Sequence, residues 1–128
     1  MIINDILNAK DSLIKLNNAK FSEFKIVASV YKLVKKVESI YDMVTKEQNK
    51  IIDIYVQKQE NGQLVIKDNQ YQFENEEKKN GFITEMNKLR FTEVDDISKI
   101  TIPTDSIQYI LDFSSEDMVR LEPLIEWV

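Results

Sequence analysis

The chain has 128 residues, of which 43% are apolar and 30% charged, with a net charge of −5 and neither cysteine nor histidine. That composition removes disulfides, thiolate nucleophiles, sulfur-ligated metals and the commonest acid–base residue and metal ligand. It argues for a non-enzymatic protein with no catalytic residues, no cofactor and no metal.

With only two Gly and two Pro, the chain reads as globular and helix-leaning. A single domain over 1–128 is predicted, long enough to bury roughly two thirds of the surface it exposes when unfolded. No segment approaches about 20 uninterrupted apolar residues, so no membrane span is expected. Met1-Ile2-Ile3-Asn4-Asp5 lacks the features of a secretory signal, which makes the cytoplasm the default location.

In chain order, Ile3, Ile6, Leu7, Leu13, Ile14 and Leu16 predict a first helix over 4–17, its apolar face cut by Asn8, Lys10 and Asp11. Asn17-Asn18 can close it in the left-handed conformation, and Ser22 can cap the next helix while Phe21 staples onto Ile26. The dominant signal follows. Val27, Val30, Val34, Val37, Tyr41, Val44, Gln48, Ile51 and Tyr55 alternate three and four apart, predicting a long helix over 22–58.

Ile26, Leu33, Ile40 and Ile54 widen this stripe to about three columns, as in a bundle helix that touches more than one neighbour. Six polar residues, Thr45 to Lys50, interrupt it. Continued helix is favoured because the spacing resumes in phase; the alternative is a break followed by a strand over Ile51 to Val56, with Asn61-Gly62 as its turn.

A β-hairpin is predicted over 63–73, turning at Asp68-Asn69 and alternating Tyr71 and Phe73 with glutamines. A helix over 75–90 follows, with Phe82, Ile83, Met86 and Leu89 on one side, Gly81 as a weak point, and Glu76 and Glu77 at its positive end. Ile97, Ile100 and Ile102 predict an extended edge segment over 97–102, and Asp105 to Asp112 a short helix. The last helix, over 115–122, is capped by Ser114 with Asp117 in place of the usual capping Glu, and buries Met118, Leu121, Leu124 and Ile125. The fold class is therefore α+β, mainly α: a long central helix packed by shorter helices, with a small β-hairpin to one side.

The order of parts resembles a family of small uncharacterised proteins, domains of unknown function, from phages and prophages of Gram-positive bacteria. The likeness rests on the helix Ile6 to Leu16, the lysine-rich helix Val27 to Ile54, the turn Glu60-Asn61-Gly62, the run Leu89-Arg90-Phe91-Thr92-Glu93-Val94, and the closing Ser115-Glu116-Asp117-Met118 to Leu121-Glu122-Pro123-Leu124-Ile125. It brings no known activity and no functional residues. What it implies is a phage setting, in which small proteins often serve as assembly factors or as inhibitors of a host complex.

Charge is distributed unevenly. Residues 1–58 carry ten Lys against seven acids, and residues 91–128 carry two basic residues against nine acidic ones, a local balance of −7. Such a field repels nucleic-acid phosphates and suits a basic partner, or else only keeps the protein soluble. Direct nucleic-acid binding is not expected, although Lys25, Lys32, Lys35 and Lys36 cluster beside Tyr31.

Consecutive acids such as Asp95-Asp96 point in different directions and do not suit a shared ion. The candidate partner-binding residues are Asp95, Asp96, Glu116, Asp117, Glu122, Glu126 and Trp127. Trp127 serves either as a contact anchor or as a residue folded back on its own domain. The expected function is protein binding by a phage-encoded factor, an inhibitor of a host defence complex. The alternative is a self-associating assembly protein, a homodimer closed through the valine seam.

Overall fold

In the computed structural model, which describes residues 1–128, the chain is α+β and mainly α. Its first helix, α1 (Ile3–Asn17), buries Ile3, Ile6, Ala9, Ser12, Leu13 and Leu16 on one stripe. Ile14 is exposed and Leu7 half-buried; the small residues Ala9 and Ser12 fill the gap that the larger apolar side chains leave. Asn18 ends α1 near φ −93°, not in the predicted left-handed conformation, since the Asn18 amide bonds back to Lys15 and tightens the last turn.

A two-residue strand, β1 (Lys20–Phe21), leads into α2 (Phe24–Tyr55). Ser22 is not its cap. The Ser22 amide donates to the Ser106 carbonyl at 2.8 Å, and the helix starts two residues beyond it. Helix α2 runs unbroken through Thr45–Lys50, then stops three residues short of Lys58 because Gln57 and Lys58 pair as extended chain with Val65 and Leu64.

Val30, Val34, Val37 and Val44 of the seam are buried, and Tyr41, Gln48, Ile51 and Tyr55 half-buried. Val27 departs from the pattern at 41% exposed. A straight helix drifts about 20° per heptad, so the column that starts at Val27 lies outside the buried stripe there and enters it only further along. Ile26 takes the buried place instead, spaced four, seven and eleven residues from Val30, Leu33 and Val37. Val30, Val34, Val37 and Val44 are thus covered within the chain, while Val27 stays open to solvent.

The remaining elements are β2 (Ile66–Lys67), β3 (Gln70–Tyr71), α3 (Glu76–Arg90), β4 (Ile100–Ile102), a 3-10 turn at Thr104–Ser106, β5 (Ile107–Tyr109), α4 (Ser115–Arg120) and β6 (Ile125–Trp127). The helix predicted at Asp105 to Asp112 is thus a turn and a strand. Ile107 and Tyr109 pair antiparallel with Phe21 and Lys20, so long-range pairing overrides a local helical spacing. The last helix is shorter than predicted, six residues, and Ile125 to Trp127 leave it to form a parallel pair with Ile100 to Ile102.

The chain comprises two compact units, Met1–Asp42 with Glu93–Val128, and Met43–Thr92. The first unit has a continuous core of α1 (Ile6, Leu13, Leu16), the first half of α2 (Ile26, Val30, Leu33, Val37) and the C-terminal segment (Ile97, Ile102, Leu121, Leu124, Ile125). Each such side chain contributes on the order of 1.5–3 kcal/mol when fully buried.

The second unit is a hairpin and α3 with the end of α2. Its hairpin turns at Asp68 and Asn69, both at positive φ, the two-residue loop whose twist matches paired strands. A second turn places Gly62 at φ 85°, a region that favours glycine, where the Gly62 amide bonds to the Gln59 carbonyl.

Gly81 is the tightest point of the second unit. A Cβ there would stand 2.5 Å from Cε1 of the half-buried Tyr55 ring. Gly81→Ala should therefore lower the urea midpoint even though alanine is favoured over glycine in a helix by about 1 kcal/mol. With Tyr55→Ala already present, the same substitution should raise it. A higher midpoint for Gly81→Ala alone would show that the ring yields freely.

Candidate functional site

The acidic C-terminal third is built around one carboxylate that is not on the surface. Ser114, in extended backbone at φ −112° and ψ 172°, caps α4: its Oγ accepts from the Asp117 amide at 3.4 Å, and Asp117 Oδ2 accepts from the Ser114 amide at 2.9 Å. The capping box read from Ser114 and Asp117 is present. Its acid does more than cap, because Asp117 is only 2% exposed and faces α1.

Ser12 Oγ donates to Asp117 Oδ1 at 2.6 Å, and Lys15 Nζ lies 3.3 Å from both carboxylate oxygens. Ser12 and Lys15 are three residues apart, which puts both on one side of α1. These donors, Ser12 first and the Ser114 amide second, hold the Asp117 carboxyl well below the usual aspartate range, against a desolvation that pushes it up. No buried side-chain polar atom in the protein lacks a hydrogen-bond partner.

Asp117 is accordingly withdrawn from the predicted contact surface. It is an internal anchor, and charges this deeply buried persist only when paired. Its partners Ser12 and Lys15 are not among the residues expected at this surface. The signal was there: Ser12 stands on the stripe of Ile6, Ala9, Leu13 and Leu16, where a hydroxyl needs a buried partner.

Asp95, Asp96, Glu122 and Glu126 are exposed, and Glu116 is exposed but bonded to Arg120 one turn on, at 2.6 Å. Strands β4 and β6 pair in parallel. Both strands are entered from the same end, so Asp95-Asp96 before β4 and Glu122 before β6 lie toward that end, where the Ile100 amide bonds to the Leu124 carbonyl. Glu126 opposes Thr101 within the pair and points away from the side that buries Ile125.

Lys36 Nζ reaches the Asp96 carbonyl at 3.5 Å and not its carboxylate. Lys99 is the other basic side chain of the third and makes no ion pair. The net field of this region therefore faces solvent.

Trp127 is half-buried. Its ring lies 6.2 Å from that of Phe113 in an edge arrangement, and its Nε1 donates to the Met118 carbonyl at 3.4 Å, so it is tied inward instead of standing free as an anchor. Glu76 and Glu77 occupy the first turn of α3, where Asn75 caps by accepting from the Lys78 amide. No group of three acidic side chains is arranged to hold a metal ion, and no helix is long and apolar enough to cross a membrane.

The anchor gives a pH dependence whose sign is fixed. A carboxyl lowered in the folded state adds stability that is complete above its unfolded pKa near about 3.9 and is lost as pH falls below it. Acidification from pH 5 should weaken the wild type steeply. Asp117→Asn should cost about 3 kcal/mol at pH 7 and flatten that acid slope; equal slopes in the two proteins would remove Asp117 as the anchor.

No protein-family model, curated protein or solved structure matches this chain, so the functional reading rests on the geometry above.

Proposed function

We propose that the protein is a non-enzymatic binding factor whose acidic C-terminal third docks a basic surface of another protein. The observation that carries this reading is the division of labour among its carboxylates: Asp117 is consumed inside the fold, while Asp95, Asp96, Glu122 and Glu126 stay exposed and without ion-pair partners. Anchoring one acid fixes the segment that displays the others. A preorganised field of one sign raises the association rate and selects partners of the opposite charge.

The resemblance to small phage proteins extends the proposal to an inhibitor of a host defence complex, acting by occupying a basic contact surface. A different reading, self-association in phage assembly, draws support from Phe24, Val27 and Tyr31, which stand exposed at i, i+3 and i+7 on α2. Mass in solution separates the two. The binding reading expects a monomer across micromolar concentrations, and a dimer that survives dilution and is lost in Tyr31→Asp would favour assembly.

Affinity capture from an infected host tests the main reading, with wild type and the triple reversal Asp95→Lys, Asp96→Lys, Glu122→Lys as baits. Basic proteins held by the wild type should be lost by the reversal and released as salt rises from 0.05 to about 0.5 M, where screening shortens to a few ångströms. An unchanged set of bound proteins would dismiss the acidic surface.

A further inference from the structure

The second unit holds a feature that the acidic face does not use. Residues 69–76 and one side of α3 enclose an open groove of about 730 Å³, floored by Tyr71, Phe73, Phe82 and Ile83. The Phe82 ring lies 5.2 Å from that of Phe73 and 6.1 Å from that of Tyr71, in tilted and edge arrangements, so the floor is a connected aromatic surface. Ile83 remains 46% exposed. Of the eighteen buried hydrophobic residues in the protein, only Val44, Val56 and Met86 belong to the fifty residues of this unit. It has apolar surface still to cover.

The main chain beside the groove is equally unsatisfied. Ladder bonds in an antiparallel pair alternate. Since the Gln72 amide bonds to the Val65 carbonyl at 3.1 Å, the Ile66–Tyr71 pair between that bond and the turn is the non-bonded one. The Tyr71 amide and carbonyl therefore point away from β2. No residue of β2 lines the groove, whereas all of 69–76 do, so the groove follows the side of β3 away from its hairpin partner. An open strand edge beside an aromatic floor is the arrangement that takes an added strand.

We propose that this groove binds an extended segment of another protein, paired to the outer edge of β3. Alternate apolar side chains of that segment rest on Tyr71, Phe82 and Ile83, and a lysine or arginine at one end faces Glu74 and Glu76. Charge selects this occupant over a second copy of the chain. A second copy seated here would bring its own Glu74 and Glu76 against the same two carboxylates, like charge against like. Glu74 and Glu76 are exposed and outside every ion pair of the protein, with Lys79 the one basic side chain on the groove wall. A basic segment meets a net negative rim.

A displayed library of random heptapeptides, panned against the full chain, tests this directly, followed by affinity measurement of the enriched peptides in solution. Enrichment of sequences with alternating apolar residues and a terminal Lys or Arg is expected. Their binding should weaken at least tenfold in Ile83→Asp, and Glu74→Lys with Glu76→Lys should enrich acidic peptides instead. Both rim substitutions are at exposed positions, so they remain informative if Ile83→Asp perturbs folding. Asp95→Lys with Asp96→Lys should leave these affinities unchanged, which keeps the groove separate from the acidic face. No enrichment over an uncoated surface, enriched peptides bound equally by the rim-reversed variant, or a dimer of the chain abolished by Ile83→Asp would each overturn the proposal.

Discussion

The carboxylate of Asp117 meets donors from both α1 and the start of α4, and the arrangement of the C-terminal third depends on that meeting. Apolar contacts such as Leu16, Leu121 and Leu124 supply most of the driving force, but they are non-directional and tolerate sliding. A buried charge does not. Removed from Ser12, Lys15 and the Ser114 amide it would be an uncompensated anion in an apolar core, so only one seating of α4 on α1 keeps it satisfied. From that seating the chain turns at Leu121 to Leu124 and enters β6 beside β4, which in turn sets where Asp95, Asp96, Glu122 and Glu126 are displayed.

The long helix was legible because its signal is local and repeated. Val30 to Val44 hold the spacing through enough turns that the polar run Thr45 to Lys50 could not break it. The hairpin turn and the last cap were legible for a similar reason, since Asp68-Asn69 and Ser114 act within two or three places of themselves, whereas Ser22, read as a cap, is held instead by the distant Ser106 carbonyl. What escaped was non-local. Strands β1, β5 and β6 are two or three residues long and exist through partners some 25 to 90 positions distant, with nothing in Ile107-Gln108-Tyr109 or Ile125-Glu126-Trp127 to distinguish strand from helix face.

Burial was read better than secondary structure in this region. Leu121, Leu124 and Ile125 are core residues as the helical spacing implied, although all three lie beyond the end of the helix. For the acidic surface the reverse held. Counting carboxylates could not tell Asp117 from its neighbour Glu116, because the difference lies in Ser12 and Lys15, a hundred residues earlier. The groove of the second unit was similarly half-visible, with Tyr71 and Phe73 read as an apolar face but their companion Phe82 assigned only to its own helix.

A double-mutant cycle between Ser12→Ala and Asp117→Asn, measured by urea unfolding at pH 7, tests the central claim most directly. If the two side chains form one buried clasp, the double variant should be more stable than the sum of the single losses implies, by at least about 1 kcal/mol. Losses that add within about 0.3–0.5 kcal/mol would mean that Ser12 and Asp117 act independently, and the acidic third would then have to be held in place by something else.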